Sequence, residues 1–252
     1  MIHFVGAGCG APDLITLRGK ALIEHADVII YAGSLVNPEL LAWKKESCAV
    51  HDSAGMTLEE VMETILASEK KGLDTVRLHT GDPCLYGAIR EQMDLLDEKG
   101  IAYDYCPGVS SFCGAAAALK MEYTLPGVSQ SVVITRMAGR TPVPERESLR
   151  SFAAHHATMV LFLSTGLLES AAAELMAGGF EPDTPAAIVC RASWPDEKTF
   201  LCTVRTMAAC AWENQITKTA LIIVGDAVKQ SDYQRSELYH PDFSTGYRQA
   251  RR

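Results

Sequence analysis

Short apolar runs alternate with longer amphipathic ones along most of this chain. The run "IHFV" at residues 2–5 reads as a strand, "LITLRGKALIEHA" as a helix and "DVIIYA" as the next strand. The most regular helical pattern is "MTLEEVMETILASEKKG", in which Thr57 and Glu60 have capping-box spacing and Gly72 closes the end. "DTVRLH" follows as a strand, "TGDPCLYG" as a loop and "AIREQMDLLDEKG" as a helix. "IAYDYC" is then a strand, and "PGVSSFCGAAAALK" turns into a helix of small residues.

At 121–128, "MEYTLPGV" interrupts the alternation with a Pro-Gly turn and predicts a domain boundary. Beyond it the pattern runs "SVVITR", the polar loop "MAGRTPVPERES", "TMVLFLS", the helix "GLLESAAAELMAGG" and "AAIVCRA". "KTFLCTV" pairs back across the turn "WPDE", then come the helix "RTMAACAWENQ" and the strand "ALIIVG". These elements predict an N-terminal α/β domain over 1–122, its alternation implying a mainly parallel sheet covered by helices on both faces, and a C-terminal α/β domain over 128–228. The polar tail at 229–252 is expected to be partly disordered.

The length of 252 residues suits one large domain or two ordinary ones, and 48% hydrophobic with 21% charged residues is the balance of a globular protein. A net charge of −8 argues against a broad basic surface for nucleic acid, yet leaves room for an anionic small molecule held by a few arginines. No apolar run is long enough to span a bilayer and the N-terminus has no signal-peptide pattern, so the cytoplasm is the expected compartment. The eight cysteines include no C-x-x-C pair and do not cluster with the seven histidines, which predicts neither a disulfide framework nor a metal site.

The first strand runs into Gly6-x-Gly8-x-x-Ala11, the spacing of a dinucleotide fingerprint. That motif requires a ribose-binding acid after the second strand. Asp27 lies before that strand and the next carboxylate after it is Glu39, so an NAD(P)-binding oxidoreductase is only a distant alternative. Gly81, Asp82 and Pro83 follow a buried-looking strand, where α/β sheets bind ligands, although an ordinary Pro-containing turn reads the same way. Ser110 and Ser111 open a helix and serve equally as caps or as ligand donors. Arg136 and Arg140 sit in a loop where they could clamp carboxylates or simply face solvent. No G-x-S-x-G, H-E-x-x-H or Walker loop occurs, a pattern that suits a transferase working by positioning.

In order along the chain, "FVGAGCGAPDLITLRG", "ADVIIYAGSLV", "LHTGDPCLYGAI", "CPGVSSFCGAAAAL" and "TPAAIVCRASWPDEK" resemble the tetrapyrrole methylases, over about residues 1–228. The resemblance implies two α/β domains of the class III methyltransferase kind with the active site in the interdomain cleft, S-adenosyl-L-methionine as cofactor, a tetrapyrrole substrate and a homodimer. "SAGMTLEE", "HTGDPCLYGAIREQM" and "TRMAGRTPVPE" most resemble the branch that methylates C(11) of precorrin-4, with or without cobalt, in cobalamin synthesis. Another regiospecific precorrin or uroporphyrinogen methylase is the nearest alternative, and a non-catalytic module on the same fold is a third.

By this resemblance the cofactor contacts fall on Gly81, Asp82, Pro83, Tyr86, Ser110 and Ser111, then on Leu163, where the family often has Met, and on Ala186 and Ala192. Gly8, Cys9 and Gly10 would line the substrate side, and Arg136 and Arg140 would meet its acetate and propionate groups. Cys9 stands where the family usually has Pro, which removes a fixed φ from the turn. Asp82 would anchor the polar part of the cofactor, and Asp13 or His79 would take any proton released after bond formation.

Overall fold

The structure, a computed structural model, describes residues 1–250; Arg251 and Arg252, the end of the polar tail, lie outside the described residues. The chain divides into two compact units, one of Met1–Ala115 with Arg191–Glu197, the other of Ala116–Cys190 with the chain from Lys198 onward.

The first unit carries β1 (Ile2–Gly6), α1 (Leu17–His25), β2 (Val28–Tyr31), β3 (Ala49–Asp52), α2 (Leu58–Glu69), β4 (Thr75–His79), α3 (Arg90–Glu98) and β5 (Tyr103–Cys106), and the division falls within α4 (Ser111–Leu119). Its five strands are all parallel, in the order β3-β2-β4-β1-β5. Period-2 alternation sorts their side chains. Val5, Ile29, Val76, Leu78 and Cys106 pack with Ile23 of α1, while Ile2, Phe4, Val28 and Ile30 pack with Ile65 of α2 and Leu96 of α3. Ile65 is fully buried there, so truncating it to Ala would cost about 2–5 kcal/mol.

Thr57 and Glu60 form the capping box of α2 reciprocally, as their spacing predicts. Two helices start later than the pattern suggests. Pro12–Leu14 makes a separate 3-10 turn, so α1 begins after Thr16, whose hydroxyl accepts from the Gly19 N–H. Ala88 lies at φ 49°, outside the helical region, so α3 begins at Arg90. The edge strand β3, unmarked in the sequence, is four mostly exposed residues with little apolar pattern.

The second unit carries β6 (Val132–Arg136), α5 (Leu149–Ala153), β7 (Thr158–Phe162), α6 (Leu168–Ala177), β8 (Pro185–Cys190), β9 (Lys198–Thr203), α7 (Met207–Glu213) and β10 (Ala220–Val224), with sheet order β6-β7-β10-β8-β9. Only β6 and β7 are parallel; β10 runs antiparallel to both β7 and β8, and β8 pairs antiparallel with β9. The pairing expected across "WPDE" is the hairpin of β8 and β9. Alternation of strands and helices gives their order but not their direction, and the hairpin between β8 and β9 reverses the chain. Met159, Leu161, Ile188 and Ile222 form the core with Leu149 of α5, Leu175 of α6 and Met207 of α7. Among the described residues no helix is long and apolar enough to cross a membrane.

Candidate functional site

Strand order alone locates the first candidate site. The chain leaves β1 toward β2 and leaves β4 toward β5, and β1 and β4 are neighbours. The two connections therefore cross beyond the carboxyl ends of β1 and β4, the end of a parallel sheet at which ligands usually bind. There the two following loops are joined: Ala7 N–H donates to the His79 carbonyl at 2.7 Å, and Gly8 and Gly81 exchange backbone hydrogen bonds of 3.3 and 2.8 Å.

The β4 loop then passes over the end of β1 to reach β5. Glycines at the crossing permit this. A Cβ on Gly6 would come within 2.6 Å of the Gly108 Cα and 2.7 Å of the Gly81 carbonyl oxygen. Gly81 itself lies at φ 60°, with the Ser110 and Ser111 backbone at ordinary contact distance from where its Cβ would be. The first glycine turn is thus a packing device. It is also unsuited to a dinucleotide ribose, because β4 separates β1 from β2.

Asp82 ties the crossing down. One carboxylate oxygen accepts from Gly108 N–H at 2.9 Å; the other accepts from Cys84 N–H at 2.9 Å and from the Tyr105 hydroxyl. Partial burial raises its pKa, and the hydrogen bonds from Tyr105, Cys84 and Gly108 outweigh that and bring it below the usual carboxylate value. Further along the loop, Tyr86 and Ala88 have φ of 58° and 49°, left-handed positions that non-glycine residues rarely occupy. Such backbone persists only where its surroundings hold it. Pro83 is buried beneath, Ser110 is buried, and Ser111 opens α4.

Gly8, Cys9 and Gly10 are all buried. Protein groups meet several of their polar atoms: Asn37 Nδ2 donates to the Gly10 carbonyl at 3.0 Å, and the Ser193 hydroxyl lies 3.3 Å from the Cys9 sulfur while accepting from Ala11 N–H at 3.0 Å. A Cβ at Gly10 would run into the Trp194 ring and stand 2.7 Å from the Ala192 carbonyl oxygen. Trp194 is stacked in turn by Arg191, 4.1 Å from the ring centroid, which is paired with Asp196 at 2.7 Å. Ala192 is buried in this arrangement.

In the second unit Leu163 follows β7 at φ 50° and is 66% exposed, a strained backbone that turns an apolar side chain outward. Next to it Ser164 is fully buried; its hydroxyl donates to the Phe162 carbonyl at 2.7 Å and accepts from Met137 N–H at 2.8 Å, fastening the ends of β6 and β7. Ala186 is buried within β8. The two arginines differ. Arg136 donates to the carbonyls of Thr141 at 3.1 Å and Pro142 at 2.7 Å and so folds its own loop, whereas Arg140 is exposed and has no partner among the described residues.

The two candidate proton acceptors also part. Asp13 is exposed in the 3-10 turn after β1. His79 is only 6% exposed, stacks 6.5 Å from Phe4, and has a pKa pushed down to about 3 by burial and by the Arg77 charge. Among the described residues its Nε2 has no hydrogen-bond partner. Strand parity sends this side chain into the layer beneath α3 rather than into the loop that follows, and so weak a base is poorly suited to accept a proton.

Tyr105, Ser164, Ser193 and Trp194 escaped the sequence reading. Tyr105 carried one usable signal, a tyrosine two residues before the Pro-Gly at the end of a strand. Each of the others also makes a contact with a residue distant in the chain, Ser164 with Met137, Ser193 with Ala11 and Trp194 with Gly10, for which spacing holds no sign.

Comparison with known proteins follows the same lines. The sequence model of the tetrapyrrole (corrin/porphyrin) methylases matches residues 1–208. A cobalt-precorrin-4 C(11)-methyltransferase of Methanocaldococcus jannaschii is 48% identical over 249 residues, covering 99% of this chain and 96% of that protein. The X-ray structure of a cobalt precorrin-4 methyltransferase, a cobalamin biosynthetic enzyme, superposes with a TM-score of 0.88 at 45% identity, covering 90% of this chain and 95% of the other. Uroporphyrin-III C-methyltransferase from Thermus thermophilus, complexed with S-adenosylhomocysteine, gives a TM-score of 0.77 at 26% identity, covering 91% of this chain and 99% of that one.

Proposed function

The chain belongs to the tetrapyrrole methylases, and from that membership we propose that it transfers the methyl group of S-adenosylmethionine to C(11) of a precorrin-4 macrocycle in cobalamin biosynthesis. The observation that carries this reading is 48% identity, over nearly the full length of both chains, to a C(11)-methyltransferase.

Bound S-adenosylmethionine supplies an electrophilic methyl group on a sulfonium. The residues there suit such a ligand: a loop at the carboxyl end of β4 that carries Gly81, backbone N–H groups at Ser110–Ser111, and an outward apolar side chain at Leu163. In the first unit Gly81, Pro83, Tyr86, Ser110, Ser111 and Ala192 would contact the cofactor, and in the second Leu163 and Ala186. With three protein donors on its carboxylate, Asp82 acts chiefly by fixing the loop. Arg140 offers a free guanidinium to a substrate carboxylate, a charge-assisted and geometrically specific contact. Arg136 shapes the loop that carries it. The chain's contribution is positioning, since the macrocycle's own π-electrons form the new carbon–carbon bond. The family resemblance further supports a homodimer working in the cytoplasm.

Calorimetry with S-adenosylhomocysteine tests the cofactor, with NAD as control. Saturable binding of the homocysteine compound alone is expected. Binding of NAD alone would return the first glycine turn to a dinucleotide role.

A further inference from the structure

The loop that carries the candidate cofactor contacts depends on a side chain from a strand two positions away in the sheet. We propose that Tyr105 is a positioning residue for cofactor binding, its hydroxyl holding Asp82 so that the β4 loop presents Gly81 and Pro83 in a fixed conformation. This rests on the function proposed above.

The geometry is specific. β5 is separated from β4 by β1, so nothing in the sheet ladder fixes the β4 loop relative to β5. Asp82 makes that link, through Gly108 N–H at 2.9 Å and through the Tyr105 hydroxyl. The Tyr105 oxygen is used twice, since it donates to Asp82 and accepts from Cys84 N–H at 3.0 Å, while the same N–H lies 2.9 Å from Asp82. Asp82, Cys84 and Tyr105 thus close a ring at the start of the loop.

Four residues after Asp82 the backbone enters left-handed φ at Tyr86, and again at Ala88. A segment with two such residues relaxes when its surroundings loosen. The Tyr105 ring packs against the core beneath α2 and α3. Replacing it with phenylalanine keeps that packing and removes only the oxygen. Burial and the neighbouring Asp82 push the phenol pKa up, so the hydroxyl remains a donor throughout the working pH range.

The test compares the full-length protein with Tyr105→Phe, Asp82→Asn and the double variant. S-adenosylhomocysteine affinity is measured by calorimetry from pH 4.5 to 8, alongside thermal melts. Tyr105→Phe should melt within a few degrees of the parent yet bind about tenfold more weakly. Loss of a donor to the Asp82 carboxylate should raise its pKa, so affinity should fall further toward pH 4.5 in the variant than in the parent. In the Asp82→Asn background the tyrosine substitution should add little, as expected of two groups acting through one contact. Affinity within twofold of the parent with an unchanged pH profile would overturn the proposal, as would additive losses or a fall of more than about ten degrees in melting temperature. Failure of the parent to bind would overturn the proposed function, and this role with it.

Discussion

Gly6 and Gly108 meet backbone to backbone: a Cβ on Gly6 would stand 2.6 Å from both the Cα and the N of Gly108. Neither obstacle is a flexible side chain, so an added methyl must push the ends of β1 and β5 apart. That movement opens the crossing through which Asp82 reaches Gly108. Gly6→Ala should destabilise the protein by about 1–3 kcal/mol, the usual cost of overpacking, and lower the melting temperature by several degrees. S-adenosylhomocysteine affinity should drop more than tenfold in calorimetry at a temperature where the variant remains folded.

The contrast between Arg136 and Arg140 separates loop shape from substrate contact. A charge-assisted hydrogen bond contributes about 1.5–3 kcal/mol, so Arg140→Ala should raise KM for the tetrapyrrole roughly 10- to 100-fold. Little change in kcat is expected if the contact is equal in ground and transition states. Cofactor affinity and melting temperature should stay as they are. Arg136→Ala frees the carbonyls of Thr141 and Pro142, so it should lower stability as well as raise KM, and Arg136→Lys should fail to restore either because it lacks the planar fork.

His79 makes a prediction about pH. Its folded pKa of about 3 lies below the unfolded value near 6.5, so the unfolded chain binds more protons between those values. Its contribution to stability is complete above about pH 6.5 and is lost progressively as pH falls toward 3. The slope from this one group approaches ~1.4 kcal/mol per pH unit. Urea unfolding of the parent and of His79→Leu between pH 6.5 and 4.5 should give a slope smaller by about one proton in the variant.

Leu163 sets stability against binding. A non-glycine residue at its φ of 50° is strained by about 1 kcal/mol, and its side chain is mostly exposed. Leu163→Gly should therefore raise the melting temperature slightly, or leave it unchanged, while weakening S-adenosylhomocysteine severalfold. A loss of stability together with unaltered affinity would mean that the outward leucine serves the fold.

These cases mark where the sequence was legible. Thr57 and Glu60 announced a helix start because a capping box is local, and Ile2, Phe4 and Val5 announced a strand because a short apolar run is what a strand buried on both faces requires. The glycine at position 81 could be placed at a strand's carboxyl end because the short run "TVRLH" stops at the turn residues Gly81, Asp82 and Pro83. What could not be read was the order of the strands. That β1 lies between β4 and β5, and so requires Gly6 and Gly108 to be bare, is a property of tertiary pairing. The Asp82–Tyr105 contact spans 23 residues and the Ala11–Ser193 contact 182, and no spacing rule reaches so far. His79 shows a different limit. Its position before the loop suggested chemistry, whereas strand parity, also present in "TVRLH", already pointed its ring toward the side of Thr75 and Arg77.

The central claim is the carbon methylated, and isotope labelling tests it most directly. The purified protein would be incubated with S-adenosylmethionine carrying a ¹³C-labelled methyl group and with precorrin-4, prepared with and without cobalt, and the product examined by carbon NMR. The account predicts a single new labelled methyl on the quaternary C(11) in at least one of the two substrates. Label appearing at another ring carbon, or no transfer to either substrate by protein that binds S-adenosylhomocysteine, would contradict it.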